Sequence, residues 1–132
     1  MSVVTLEDGR RTARTRYVER IADSMELRDW RIVLRFDPKD EDSGFVRTTY
    51  GRKLATMQLD WTASKETIRH STCHELIHLH MDCAANTIQN ELSHFLEDAV
   101  DKAFFLAFNR QLELGVDGLA TAIAKHQPLP PR

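Results

Sequence analysis

An α+β fold is what three features of this 132-residue chain predict. An amphipathic arginine-rich segment comes first, short β-branched and aromatic runs with period-two alternation follow, and segments of helical period fill the second half. At 42% hydrophobic and 29% charged residues the composition is that of one globular domain rather than a disordered chain. Residues 1–126 are assigned to that domain and 127–132 to a frayed tail. The formal net charge of -2 builds in no global attraction to nucleic acid or anionic membrane.

Taking the elements in order, Gly9 to Leu27 reads as a helix with Tyr17, Ile21 and Met25 on its apolar stripe and Arg10, Arg11, Arg14, Arg16 and Arg20 making it locally basic. A solvated face is the reading of those arginines, and no nucleic-acid partner is expected. "WRIVLRF", Trp30 to Phe36, alternates Ile32, Leu34 and Phe36 against Arg31, Val33 and Arg35, a strand with one buried face. The breaker-rich "DPKDEDSG", Asp37 to Gly44, is a turn. "FVRTTYG" and "KLATMQLDW" are two further strands joined around Gly51. "TASKET" then offers Thr62 or Ser64 as N-cap with Glu66 in the first turn of a helix running to about Cys83. "AANTIQN" connects it, with Asn86 or Thr87 as cap, to a helix from about Thr87 to Asn109 carrying Ile88, Leu92, Leu96, Val100, Ala103 and Ala107 on an apolar arc. "LELGVDGLATAIAKH" is expected to form a short last helix after Gly115 and Gly118.

No apolar run is long enough to span a bilayer, so neither a membrane partner nor a signal segment is expected. Cys73 and Cys83 lie ten residues apart. On one helix that is roughly 15 Å, beyond disulfide reach. Two reduced thiols suit a cytoplasmic protein.

The chemistry concentrates in "HSTCHELIHLH", His70 to His80, where His74-Glu75-Leu76-Ile77-His78 matches H-E-x-x-H. Residues four apart are one turn apart and about 40° apart on a helix, so two imidazoles converge on one ion while the intervening Glu75 reaches a water as general base. From six His and nine Glu in 132 positions, about 0.02 chance matches are expected. Ile68, Thr72, Leu76, Leu79 and Cys83 fall on one arc, with His74, His78 and Met81 nearly opposite and Ile77 flanking them. A helix packed on two faces would put the histidines in a cleft. His70 and His80 are assigned blander places, the first lining that cleft and the second on the polar side.

A catalytic zinc site takes three protein ligands. In the next helix Asp98, Glu91 and Lys102 share a polar face, whereas Glu97 falls beside Phe104 and Phe108, where an unpaired carboxylate is costly and a metal would compensate it. Glu97 is therefore the preferred third ligand and His94 the alternative. Asp101, one turn on, is placed to accept the second N–H of a ligating histidine.

HELIH followed by an E-x-x-x-D pair at Glu97 and Asp101 resembles the gluzincin branch of the HExxH metallopeptidases. "LDW" ahead of the helix and "LEDAVDKAF" after it are similar to the small ImmA/IrrE-like and phage-encoded members. The resemblance spans about Trp30 to Phe108. It implies a minimal zincin-like fold: N-terminal helix, a twisted sheet of three or four strands, the HExxH helix, a third-ligand helix and a short C-terminal helix. It also implies Zn²⁺ as cofactor and hydrolysis of a peptide or protein substrate, with Glu75 as the base. Substrate would pair with an edge strand, assigned to "LATMQLD" and so to Thr56, Met57, Gln58 and Leu59. Many gluzincins carry a further His or Tyr that supports the tetrahedral intermediate, and only Tyr50, His94 and His126 stand as candidates here. The large C-terminal helical domain of bigger members has no counterpart in these 132 residues, so an open cleft is expected. A proteolytically inactive zinc-binding module acting as a protein-interaction partner is the alternative reading.

Overall fold

The computed structural model describes residues 2–36, 44–49 and 51–131. Residues 37–43 of the expected Asp37–Gly44 turn, Tyr50 and the side chain of Cys83 lie outside the described residues, and Gly44 opens a strand instead. The chain is α+β, in the order β1 (Val3–Leu6), α1 (Ala13–Ser24), β2 (Arg31–Arg35), β3 (Gly44–Thr48), β4 (Leu54–Leu59), α2 (Lys65–Asn90), a 3₁₀ turn (Leu92–Phe95) and α3 (Asp98–Ala124).

The sheet is mixed, in the order β1-β2-β4-β3. β1 pairs parallel to β2, β2 parallel to β4, and β3 antiparallel to β4. Period-two alternation decides which side is core. Val4, Ile32 and Ala55 form one inward rung and Leu6, Leu34, Met57 and Val46 the next, with Leu59 beyond them. Tyr17, Val18, Ile21 and Ala22 of α1 and Cys73, Leu76, Ile77 and Leu79 of α2 close over these rungs. β1 has no counterpart in the sequence reading, because four residues ahead of a charged turn give too short an alternation to detect. The turn that follows it uses Gly9 at φ 82°, a conformation glycine adopts without strain.

α1 starts later than periodicity suggests, at a capping box in which Thr12 and Thr15 satisfy each other's backbone N–H. Three of the five arginines of this basic segment have partners. Arg11 pairs with the buried Glu19, Arg10 pairs with Asp8, and Arg14 lies 5.0 and 5.2 Å over the Phe36 and Trp61 rings.

Two helices differ from expectation. α2 continues to Asn90, since "AANTIQN" has no Gly or Pro to stop it and Asn86 turns its side chain to Thr48 and Asp82 instead of capping a new helix. α3 therefore begins only at Asp98 and then runs unbroken through Gly115 and Gly118 to Ala124. The i, i+4 series Leu112, Val116, Ala120 and Ala124 holds it against the core, with Val116 1% exposed and Ala120 0%. That burial outweighs two helical glycines at about 1 kcal/mol each. The expected frayed tail is docked through residue 131. The carbonyls of Pro128 and Pro131 accept from Tyr17 Oη (2.8 Å) and Trp61 Nε1 (3.3 Å), and Pro130 is buried. Prolines deny a segment its N–H donors but leave its carbonyls free for such side chains.

No helix among the described residues is long and apolar enough to cross a membrane.

Candidate metal centre

Ser64 caps α2, accepting from the Thr67 amide at 3.1 Å, with Glu66 in the first turn. From there the helix carries two opposed sets of side chains. Ile68, Thr72, Leu76 and Leu79 are buried against the sheet and α1, while His70, Ser71, His74, Glu75, His78 and Met81 line a cleft of about 600 Å³. β3 forms one wall of the cleft and Leu112, Glu113 and Asp117 of α3 the other.

His74 and His78 converge as the HExxH spacing requires, and the carboxylate that meets them is Glu113. Its Oε1 lies 2.9 Å from His78 Nε2 and its Oε2 3.1 Å from His74 Nε2. The two imidazoles are mostly buried, at 17% and 19% side-chain exposure, whereas Glu113 is half exposed. Burial, the largest effect, and the neighbouring His74 push the His78 pKa down against the pull of Glu113. The balance favours the neutral ring, the form that binds a metal.

Asp117, one turn beyond Glu113, stands 3.6 Å from His74 Nδ1 and 3.0 Å from His70 Nε2. The hydrogen bond from His70, with the charges of His70 and His74 behind it, holds the Asp117 carboxyl below its usual range. Two triads that could hold an ion thus share His74: His74, His78 and Glu113 on its Nε2 side, His70 and Asp117 on its Nδ1 side. A neutral imidazole ligates through one nitrogen and donates through the other. The first triad, which joins two imidazoles and a carboxylate, is therefore the metal candidate, and Asp117 stands on the Nδ1 side of His74.

Glu97 is not at this site. It occupies the N-cap position of α3, exposed and without a side-chain cap bond, sixteen residues before Glu113. That is ~24 Å of helix. The displacement follows from the long α2, which delays the turn so that the returning helix meets the histidines four turns further on. His94 is exposed in the 3₁₀ turn, and Asp101 sits in the first turn of α3, half-buried and away from the imidazoles. Glu113 and Asp117 repeat the E-x-x-x-D spacing of Glu97 and Asp101. The signal was present twice, and only the helix lengths distinguish the copies. His80 Nε2 donates to the Met25 carbonyl, 2.6 Å away, outside the cleft.

Glu75 is 7% exposed and lines the cleft beside Gly44. A Cβ on Gly44 would stand 3.4 Å from Glu75 Cγ and 2.9 Å from the Gln58 carbonyl oxygen, so the glycine is what lets β3 approach this closely. The assigned edge strand also changes. Thr56, Met57 and Gln58 lie in β4, which is paired on both sides, and Leu59 pairs with Gly44. The edge strand facing the cleft is β3, where Gly44, Phe45, Val46 and Thr48 line the wall. Its far end is tied across to α2 by hydrogen bonds among Thr48, Asp82 and Asn86.

No family model, no curated protein and no solved structure matches the chain.

Proposed function

We propose that the chain is a zinc-dependent metallopeptidase of minimal zincin type, with His74, His78 and Glu113 as the metal ligands and Glu75 as the general base. One observation carries the reading: two imidazole nitrogens and a carboxylate, all within 4.8 Å of one another, converge at a cleft that also holds the Glu of H-E-x-x-H. The donor set fits the ion. Zinc takes neutral imidazole nitrogens and carboxylate oxygens, and each imidazole Nε2 faces its own oxygen of Glu113, at 2.9 and 3.1 Å. Two N and one O also leave a fourth position open, as in catalytic zinc sites.

Zinc bound there would supply a Lewis acid for a peptide carbonyl and for water. The remaining work falls to the chain. Asp117, hydrogen-bonded to His70 at 3.0 Å, places its negative charge 3.6 Å from His74 Nδ1, on the side of the ring away from Glu113. Glu75 takes a proton from a water in the cleft as the water oxygen bonds to the peptide carbonyl carbon, and returns that proton to the departing amine, so that the carboxylate is restored when the C–N bond has broken. β3 offers its outer edge to an extended peptide, which adds as a further antiparallel or parallel strand while its side chains alternate between the cleft and solvent.

The test of the metal site is stoichiometry measured by native mass spectrometry. One zinc per chain is expected for wild type and for Glu97→Ala, with loss in His74→Ala, His78→Ala and Glu113→Ala. Retention of zinc by the His74→Ala, His78→Ala double variant would remove the basis of the proposal. The exposure of Glu113 and Asp117, 55% and 60%, favours a second reading, a zinc-holding interaction module without hydrolysis. Intact peptides after incubation with the zinc-loaded chain would favour that one.

A further inference from the structure

Ser71 sits one turn before Glu75 on the cleft side of α2. Its residue exposure is 4%, and its Oγ is buried with no hydrogen-bond partner among the described residues. Such an orphan is unusual, because a helical Ser or Thr ordinarily bonds back to the carbonyl four residues earlier. The adjacent Thr72 does so, donating to the Ile68 carbonyl at 2.7 Å.

Spacing of four puts Ser71 and Glu75 side by side, with about 5–6 Å between their Cβ atoms. Both line the cleft with Gly44. Because its oxygen is closed to solvent, Ser71 does not reach a substrate directly. We propose that Ser71 is a positioning residue for Glu75, its hydroxyl held free in the resting protein to hydrogen-bond the Glu75 carboxyl during turnover. A hydroxyl suits both halves of the cycle. It donates to the carboxylate that awaits the proton, and it accepts from the carboxylic acid once the proton has moved from water to Glu75. This inference rests on the peptidase reading above.

The experiment compares zinc-loaded wild type, Ser71→Ala and Ser71→Thr on a fluorogenic peptide that wild type cleaves, with melting temperature and zinc content measured on the same samples. For Ser71→Ala, kcat falls about tenfold, the worth of one hydrogen bond. KM and zinc content stay unchanged, and the melting temperature holds or rises because an unsatisfied hydroxyl has been removed. Ser71→Thr restores most of kcat. A purely structural role would instead lower melting temperature together with turnover in Ser71→Ala, and that result overturns the proposal, as does a kcat within twofold of wild type. A zinc-loaded wild type that cleaves nothing overturns the peptidase reading and this inference together, whereas an active wild type with a fully active Ser71→Ala overturns this inference alone.

Discussion

If His74, His78 and Glu113 hold zinc as proposed, replacing Glu113 by Ala removes the carboxylate that bridges the two imidazoles, and a Coulomb estimate sets the size of the loss in affinity. A unit charge pair about 4 Å apart at an effective permittivity near 20 is worth roughly 4 kcal/mol. The second charge of the ion adds to that, and the half exposure of Glu113 offsets it. About 4 kcal/mol is a factor on the order of 10³ in the dissociation constant. Glu97 provides the contrast. It lies ~24 Å of helix from Glu113, well past the ~8 Å screening length of physiological salt, so Glu97→Ala should alter affinity by less than about twofold. Competition against a chromophoric zinc chelator measures both variants on one scale. Equal affinities of Glu113→Ala and wild type, or a loss confined to Glu97→Ala, would refute the assignment of α3 register on which the site depends.

Three further outcomes follow from particular contacts. Gly44→Ala forces a methyl to 2.9 Å from the Gln58 carbonyl and 3.2 Å from Leu59 Cδ2; the melting temperature should drop by about 5 °C or more, and an unchanged melting curve would show that β3 gives way easily. Burial pushes the Cys73 thiol up to about 11, so peptide mapping after iodoacetamide at pH 8 should find Cys73 unlabelled in the native chain and labelled in denaturant; rapid native labelling would contradict its packing. Partial burial pushes the Asp23 carboxyl up, but the Ser2 amide (2.8 Å) and hydroxyl (2.7 Å) outweigh this and hold it below its ordinary value. A depressed carboxyl contributes stability above the unfolded-state value, 3.8, and loses it as pH falls through the folded-state value. Asp23→Asn should therefore melt below wild type at pH 7, with the gap closing near pH 3, and a gap that widens in acid would reverse the sign of the argument.

What the sequence disclosed, and what it hid, divides along the line between local and long-range information. The buried sides of β2 and α2 are legible because alternation and helical spacing are local: Ile32, Leu34, Leu76 and Leu79 are all core residues. His74, Glu75 and His78 are on the cleft face for the same reason. The partner on α3 was not legible from its own surroundings. Choosing between Glu97 and Glu113 requires knowing where α2 stops, and neither Ala84–Ala85 nor Asn86 announces whether the helix ends there; a side-chain bond from Asn86 to a residue of β3 decides it. The strand order was equally remote. β3 and β4 look alike as short alternating runs, and only the parallel pairing of β4 with β2 leaves β3 at the edge. The docked tail depends on donors from Tyr17 and Trp61, which are 111 and 70 residues away from their acceptors.

The central claim, that Glu75 moves a proton at a zinc site built from His74, His78 and Glu113, meets its most direct test in one paired measurement. Zinc-loaded wild type and Glu75→Gln are incubated with an unstructured protein, cleavage is followed by mass spectrometry, and bound zinc is quantified in both. The account predicts one zinc per chain in each, with chelator-sensitive cleavage by wild type and a loss of at least about 10²-fold in Glu75→Gln. Cleavage by Glu75→Gln at the wild-type rate would contradict it.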